Sequence, residues 1–220
     1  MTLPATNPLA IIPGQRAIAV GRTGSGKTTL ARYIMAVSPV RWVILDRKAD
    51  DGLAKDGGAV IEHLPEPDEC LELLEDAPSI IVRPPPSDFR TGAVDEFILT
   101  LHDAVNHIGL MVDELLSLQK NGQAGDGLVS WLTRGRSKGQ AFLGLAQRPA
   151  WISQFLFSEA DIIYCMALNK EDDRKRVYDF VGDRRVMEKL PKRQYWRYAV
   201  DDDLLQKGAP VTIASDGSKA

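Results

Sequence analysis

The chain has 220 residues, a formal net charge of −3 and 44% hydrophobic residues, an ordinary soluble α/β composition whose length suits one domain with a single sizeable core. No apolar run is long enough to span a bilayer, and residues 1–13 lack the basic and long apolar regions of a secretory signal. The slightly acidic balance does not suggest a generic nucleic-acid coat, and Cys70 and Cys165, far apart and without metal-ligand spacing, read as reduced core thiols of a cytosolic protein.

In chain order, residues 1–15 contain three prolines and read as an extended N-terminal arm, able to lie on a neighbouring subunit or to stay disordered. A single domain is expected over 16–214, with a flexible tail at 215–220. Strands are expected at Arg16 to Val20, Arg41 to Leu45, Ser79 to Val82, Ile108 to Val112, Ala141 to Ala146, Asp161 to Leu168 and Tyr195 to Val200, with a further one at Val211 to Ile213. Helices are expected at Lys27 to Val37, Glu66 to Glu75, Thr91 to His107, Leu128 to Arg134, Ile152 to Glu159 and Asp172 to Val181. Pro84-Pro85-Pro86 ends the third strand, and Asn121 to Gly127 is a glycine-rich loop. Apolar strands alternating with helices imply a mostly parallel sheet with helices on both faces.

Residues Gly21 to Thr28 read G-R-T-G-S-G-K-T, after the apolar run Ala17-Ile18-Ala19-Val20 and before a helix. That is a phosphate-binding loop in its required setting, so the fold class is an α/β P-loop NTPase. The nucleotide-binding set is Gly21, Arg22, Thr23, Gly24, Ser25, Gly26, Lys27, Thr28 and Thr29, and the ligands are ATP and Mg2+. Backbone N–H groups and the positive end of the helix suit phosphate oxygens. Lys27 would reach the β- and γ-phosphates, and the Thr28 hydroxyl the Mg2+ ion. A second apolar strand delivers Asp113 and Glu114. Asp113 suits a Mg2+ partner, and Glu114 suits a base that orients and polarises water. The motif residues Asp46, Asp113, Glu114 and Gln147 all fall at strand C-terminal ends, the edge where an open α/β sheet binds ligands.

A Glu beside the strand-borne Asp resembles the motor ATPases that include RecA-like and AAA+ proteins, and this implies an extra strand between the phosphate-loop strand and the Asp113 strand. From Thr133 to Pro149 the chain reads T-R-G-R-S-K-G-Q-A-F-L-G-L-A-Q-R-P. The Gly135-Arg136-Ser137-Lys138-Gly139 turn and Gln147-Arg148-Pro149 are similar to the FtsK–HerA superfamily of DNA-pumping ATPases. Asp46-Arg47-Lys48 resembles that family's Asp-Pro-Lys, with Arg in place of Pro. The resemblance covers residues 16 to 182. It implies that Gln147 senses the γ-phosphate or the attacking water, and that Arg136 is an arginine finger donated to the next subunit's ATP, with Arg134 as the second candidate. The plainer alternatives are a strand-end cap for Gln147 and helix-terminal arginines favoured by the helix dipole.

The superfamily pumps double-stranded DNA through a ring, usually a hexamer. A compact motor without added domains looks like the genome-packaging ATPases of membrane-containing icosahedral viruses and phages. That implies a homo-oligomeric ring, capsid vertex proteins as partners, and location in the host cytoplasm and at a virion vertex. Lys120 to Gly127 and the turn around Phe89-Arg90 are the candidate pore loops. The basic stretch Arg184-Arg185, Lys189, Lys192-Arg193 and Arg197 could touch DNA or a neighbouring subunit, or be a solvated face. His63, His102 and His107 are read as surface or packing residues. Three other readings stay open: a cellular or plasmid translocase of the same superfamily; a small-molecule kinase, with Arg174, Lys175 and Arg176 imitating a lid; and a non-enzymatic nucleotide switch.

Overall fold

The structure is a computed structural model that describes residues 7–55 and 58–212. The expected tail at 215–220, Ile213, and the first six residues of the arm lie outside the described residues. β1 (Arg16–Val20) leads through α1 (Lys27–Val37), β2 (Arg41–Leu45), α2 (Asp51–Ala54), β3 (Ala59–Ile61), α3 (Pro67–Asp76), β4 (Ser79–Val82), α4 (Pro86–Thr91) and α5 (Ala93–Ala104) to β5 (Ile108–Val112). There follow the hairpin β6 (Gln119–Lys120) and β7 (Gln123–Ala124), α6 (Asp126–Arg134), β8 (Ala141–Ala146), α7 (Gln154–Ser158), β9 (Ile162–Met166), α8 (Glu171–Val181), β10 (Tyr195–Ala199) and β11 (Leu204–Gly208).

Among the described residues nine strands form one sheet, in the order β11, β10, β9, β1, β8, β5, β2, β4, β3. β1 to β5, β8 and β9 pair in parallel, and β10 and β11 close one edge antiparallel. β8 separates β1 from β5, so the strand that the motor-ATPase resemblance implies is the one ending at Gln147. β5 and β8 are buried along their whole length. Alternate residues feed opposite layers, as the two-residue period of a strand requires: Val43 and Leu45 on one face, Trp42 and Ile44 on the other. α3, α5, α6, α7 and α8 cover the first face, and α1 and α2 the second. Burial pushes the thiols of Cys70 and Cys165 up to about 12, so both are unreactive at neutral pH.

From Asn7 onward the arm lies on its own domain. Ile11 is fully buried beside α1, its N–H donates to Ser38 Oγ at 2.9 Å, and Asn7 Nδ2 donates to Tyr33 Oη at 3.1 Å. The expected helix at 91–107 is shorter, because Gly92 in the left-handed region separates α4 from α5, and Val105 is extended. The glycine-rich loop holds a hairpin whose turn residues Asn121 and Gly122 both have positive φ, the signature of a type I′ turn. Of the strand expected at 211–213, the described residues Val211 and Thr212 are irregular, and the edge strand here is β11 at Leu204–Gly208, with one buried side chain, Leu205.

Candidate active site

The phosphate loop begins where β1 leaves the sheet. The Gly21 N–H still donates to Ala146 O on β8, and the Arg22 N–H donates to Ala167 O beyond β9, so two strand ends hold the loop's entry. The turn into α1 needs left-handed backbone at Gly24 (φ 72°) and Gly26 (φ 108°), which residues with a Cβ adopt poorly. Nothing lies within 4 Å of the point where a Cβ on Gly24 would stand, so the loop backbone is open to a ligand. No side chain caps α1, and no acidic residue stands in its first turn. Its free N–H groups and dipole are therefore available to an anion.

Lys27 is buried, with Nζ donating to Gly21 O at 2.6 Å and Arg22 O at 3.2 Å. Burial, and then repulsion from Lys48, lower its pKa to about 8. At neutral pH it is a charged donor resting on carbonyls that a phosphate can replace.

The acidic half is delivered by β5. Asp113 is 3% exposed, and its N–H donates to Leu45 O on β2. Glu114 opens a 3-10 turn at Leu115–Leu118, which Ser117 closes by donating to Glu114 O. Between the two carboxylates lies Lys48, with Nζ 3.0 Å from Glu114 Oε2 and 3.3 Å from Asp113 Oδ2. Burial raises the Asp113 pKa, and Lys48 offsets part of that rise. Burial works in the opposite direction on Lys48, but the two carboxylates outweigh it and hold its pKa above the ordinary value.

Lys48 is therefore a residue of the site, although its place in Asp46-Arg47-Lys48 was its only signal in the sequence. Asp46 serves it indirectly. The buried Asp46 carboxylate accepts from Arg83 Nε at 2.9 Å and from the Asp50 N–H at 3.2 Å, which shapes the loop carrying Lys48.

Gln147, at the end of β8, accepts from Thr23 Oγ1 at 2.8 Å, which ties the strand end to the phosphate loop. A cleft of about 370 Å3 lies between these elements, bordered by Thr23, Gly24, Lys27, Thr28, Asp113 and Gln147 and, on one side, by Lys192 and Arg193. The sequence places the last two in a basic stretch open to DNA, a neighbouring subunit or solvent, and the fold brings them to the cleft. The cleft also fits a hard cation. Asp113 Oδ2 is buried and accepts no hydrogen bond, with Lys48 only at ion-pair distance, and Thr28 borders the same space. Among the described residues no three His, Cys, Asp or Glu side chains cluster as a metal cage. This suits Mg2+, which takes few protein ligands and keeps phosphate oxygens and waters.

Arg134 and Arg136 are not brought to this cleft. Arg134 precedes the turn at Gly135–Lys138 and Arg136 lies within it, before β8, at the opposite end of the sheet from Gln147, about 20 Å away by strand rise. Both are exposed. The turn itself is firmly held. Lys138 Nζ donates to His102 O and Asp103 O, and Gln140 Nε2 donates to His102 O and Val105 O. His102 is thus a packing residue, with Nδ1 2.6 Å from Gln140 Oε1.

The kinase lid finds no support in α8. Arg174 donates to Leu168 O and Asn169 O, and neither Lys175 nor Arg176 borders the cleft. The two candidate pore loops meet. Phe89-Arg90 and the β6–β7 hairpin line one second cleft of about 330 Å3. Asp95 holds the chain beyond the hairpin by accepting from the Gly127 and Leu128 N–H groups. Among the described residues no helix is long and apolar enough to cross a membrane.

No protein-family model matches the chain. It is 31% identical over 170 residues to the DNA packaging ATPase P9 of Enterobacteria phage PRD1, spanning 76% of this chain and 70% of that protein. Its fold is that of the genome-packaging NTPase B204 of Sulfolobus turreted icosahedral virus 2. The B204 structure with AMPPCP superposes at a TM-score of 0.72 and 16% identity over 91% of this chain and 100% of that one, and the structure with ATPγS at 0.70 and 14% over 90% and 98%. The cytoplasmic domain of the Thermomonospora curvata type VII secretion ATPase EccC is a more distant fold match, with a TM-score of 0.57 and 14% identity over 92% of this chain and 24% of that one. With the phosphate loop, the Asp113-Glu114 strand end and Gln147 at one sheet edge, and with the phage PRD1 packaging ATPase 31% identical, the chain belongs to the family of viral DNA-packaging ATPases, P-loop enzymes of the FtsK–HerA type.

Proposed function

We propose that the chain hydrolyses ATP with Mg2+ and uses the energy to drive double-stranded DNA through a homo-oligomeric ring at a capsid vertex, working from the host cytoplasm. The observation that carries the ring is the placement of Arg136. It stands exposed on a rigid turn at the sheet end opposite its own phosphate loop, where only another subunit's nucleotide could meet it. Surfaces at opposite ends of one molecule meet head to tail, and such contacts form a ring when the rotation between subunits closes.

Within one subunit, the loop N–H groups, Lys27 and the α1 N-terminus bind the phosphates. Thr28 and Asp113 would hold Mg2+, which when bound offsets the charge on the β- and γ-phosphate oxygens. Glu114 accepts the proton of the attacking water, and Lys48, at 3.0 Å, holds its carboxylate in place until water and nucleotide arrive. Gln147 senses the γ-phosphate through its link to Thr23. Arg136 of one subunit stabilises the charge that spreads over the transferring phosphoryl group in the next, with Arg134 as the alternative donor. The two loops around the second cleft, with Arg90 and Lys120, contact DNA phosphates without reading sequence.

The test is steady-state ATP hydrolysis, with and without double-stranded DNA, by wild type, Arg136→Ala, Glu114→Gln and an equal mixture of the two variants. DNA should stimulate wild type, and each variant alone should lose about 10²-fold or more. In a mixed ring about a quarter of the interfaces pair an intact Glu114 with an intact Arg136, so the mixture should recover a corresponding share of the wild-type rate. Full activity in Arg136→Ala alone would remove the shared site.

A further inference from the structure

The active cleft has one wall that neither the phosphate loop nor the parallel strand ends supply, and the topology explains how it gets there. Parallel strands present their C-terminal ends at the ligand edge. β10 runs the other way, with Tyr195 paired to Met166 at the end of β9, so the residues just before β10 arrive at that same edge. They form a turn in which the Gln194 N–H donates to Pro191 O at 3.3 Å.

Arg193 holds φ at 68°, in the left-handed region that is unfavourable for a non-glycine residue and persists only where surrounding contacts impose it. The imposing contact is with the phosphate loop. The Arg193 N–H donates to Ser25 O at 3.0 Å, and its Cγ stands 3.3 Å from where a Cβ on Gly26 would be. The side chains of Lys192 and Arg193 are exposed on the cleft, and among the described residues no carboxylate pairs with either.

Their position along a bound nucleotide follows from the opposite wall. Thr23 with Gln147, and Lys48 with Glu114, mark the γ-phosphate end. Arg193 lies on the other side of Gly26, over a small hollow shared with Thr29, Leu30, Met166, Tyr195 and Val211. With the γ-phosphate at the opposite wall, this side would take the α-phosphate and the nucleoside.

We propose that the Lys192–Arg193 turn is a clamp acting in cis, whose two cations bind the nucleoside end of the nucleotide at the α-phosphate and ribose. The clamp rests on the reading of this cleft as the ATP site. Because ADP carries the same α-phosphate and ribose, the clamp contributes affinity for both nucleotides and little to the chemical step. It differs in this from Arg136, which meets the transferring group. It also assigns the Lys192–Arg193 part of the basic stretch to nucleotide rather than to DNA.

The experiment is equilibrium titration of fluorescent ADP and of a non-hydrolysable fluorescent ATP analogue into wild type, Arg193→Ala, Arg193→Gly and Arg193→Lys, with steady-state kinetics alongside. Arg193→Gly keeps the positive φ without strain, so agreement between the Gly and Ala variants separates loss of the side chain from damage to the turn. Both are expected to bind each nucleotide about 10- to 100-fold more weakly, with KM raised by a similar factor and kcat within about 2-fold. Arg193→Lys should recover part of the affinity. Tight binding by wild type with unchanged binding by Arg193→Gly overturns the clamp alone. Unchanged nucleotide binding with lost DNA stimulation overturns it in favour of a DNA contact. Failure of wild type to bind either nucleotide overturns the reading of the cleft and the clamp with it.

Discussion

Lys27 and Lys48 both border the cleft, and burial lowers the pKa of each, yet their net shifts are opposite. Lys27 has only carbonyl partners, so desolvation and Lys48 bring its pKa down to about 8. Lys48 faces two carboxylates and stays charged. A bound polyphosphate would hold Lys27 in its charged form and so raise its pKa. Between the free value and the bound value the complex carries more protons than the free protein, so nucleotide affinity must fall as pH rises above about 8. Titrations of ADP from about pH 7 to about pH 9.5 should show affinity dropping by up to about tenfold per unit, and Lys27→Arg, which does not titrate there, should flatten the slope. A slope that survives in Lys27→Arg would assign it to another group.

At the level of elements, the loops proposed to meet DNA are wired to both halves of the active site. The 3-10 turn that Glu114 opens runs into β6 at Gln119. The Gln119 side chain accepts from the Ser153 N–H at 2.6 Å and donates to Trp151 O at 3.4 Å, on the segment that follows Gln147. Arg148 steadies that segment through Asp173 at 2.8 Å and stacks over Trp151 at 4.2 Å. A displacement of the hairpin would therefore reach the ends of β5 and β8 together. Gln119→Ala is expected to bring the ratio of DNA-stimulated to basal ATPase rate towards one, while ADP affinity stays within about 2-fold. If the ratio holds at its wild-type value, the coupling does not pass through Gln119.

Across the whole molecule the two ends of the sheet have different tasks. One end binds nucleotide, and the other carries Arg136 on a turn braced by Lys138 and Gln140. With a net charge of −3, the proposed DNA attraction would have to come from local features such as Arg90 and Lys120 rather than from the overall field. Phosphate contacts of this kind release counterions. The DNA concentration giving half-maximal stimulation should therefore rise at least about tenfold between about 50 and about 200 mM salt, and should not depend on duplex sequence. Weak salt dependence or a marked sequence preference, measured by ATPase titration with several duplexes, would point to another substrate.

Much of this was legible before any tertiary contact was known. The bounds of β1, α1, β2, β4, β5 and β8 coincide with those expected from apolar runs and helix breaks, because burial on both sheet faces demands continuous apolar residues. β3, α4 and β11 escaped notice. β3 is three residues at a sheet edge, α4 starts at a proline that suits a first helical turn as well as a strand end, and β11 buries one side chain. The sequence by itself determined the ligand class, the acidic pair and the family resemblance, since each rests on residue types at short spacings with a direct chemical meaning. Only the tertiary structure decided which cations serve the cleft. Lys48 enters it because Asp46 and Arg83 shape its loop, Lys192 and Arg193 because β10 returns antiparallel, and Arg136 is kept out by the length of β8. Those outcomes depend on strand order and direction, which are set by contacts between residues far apart in the chain, and the short motifs around Lys48 and Arg136 carry no geometry of their own.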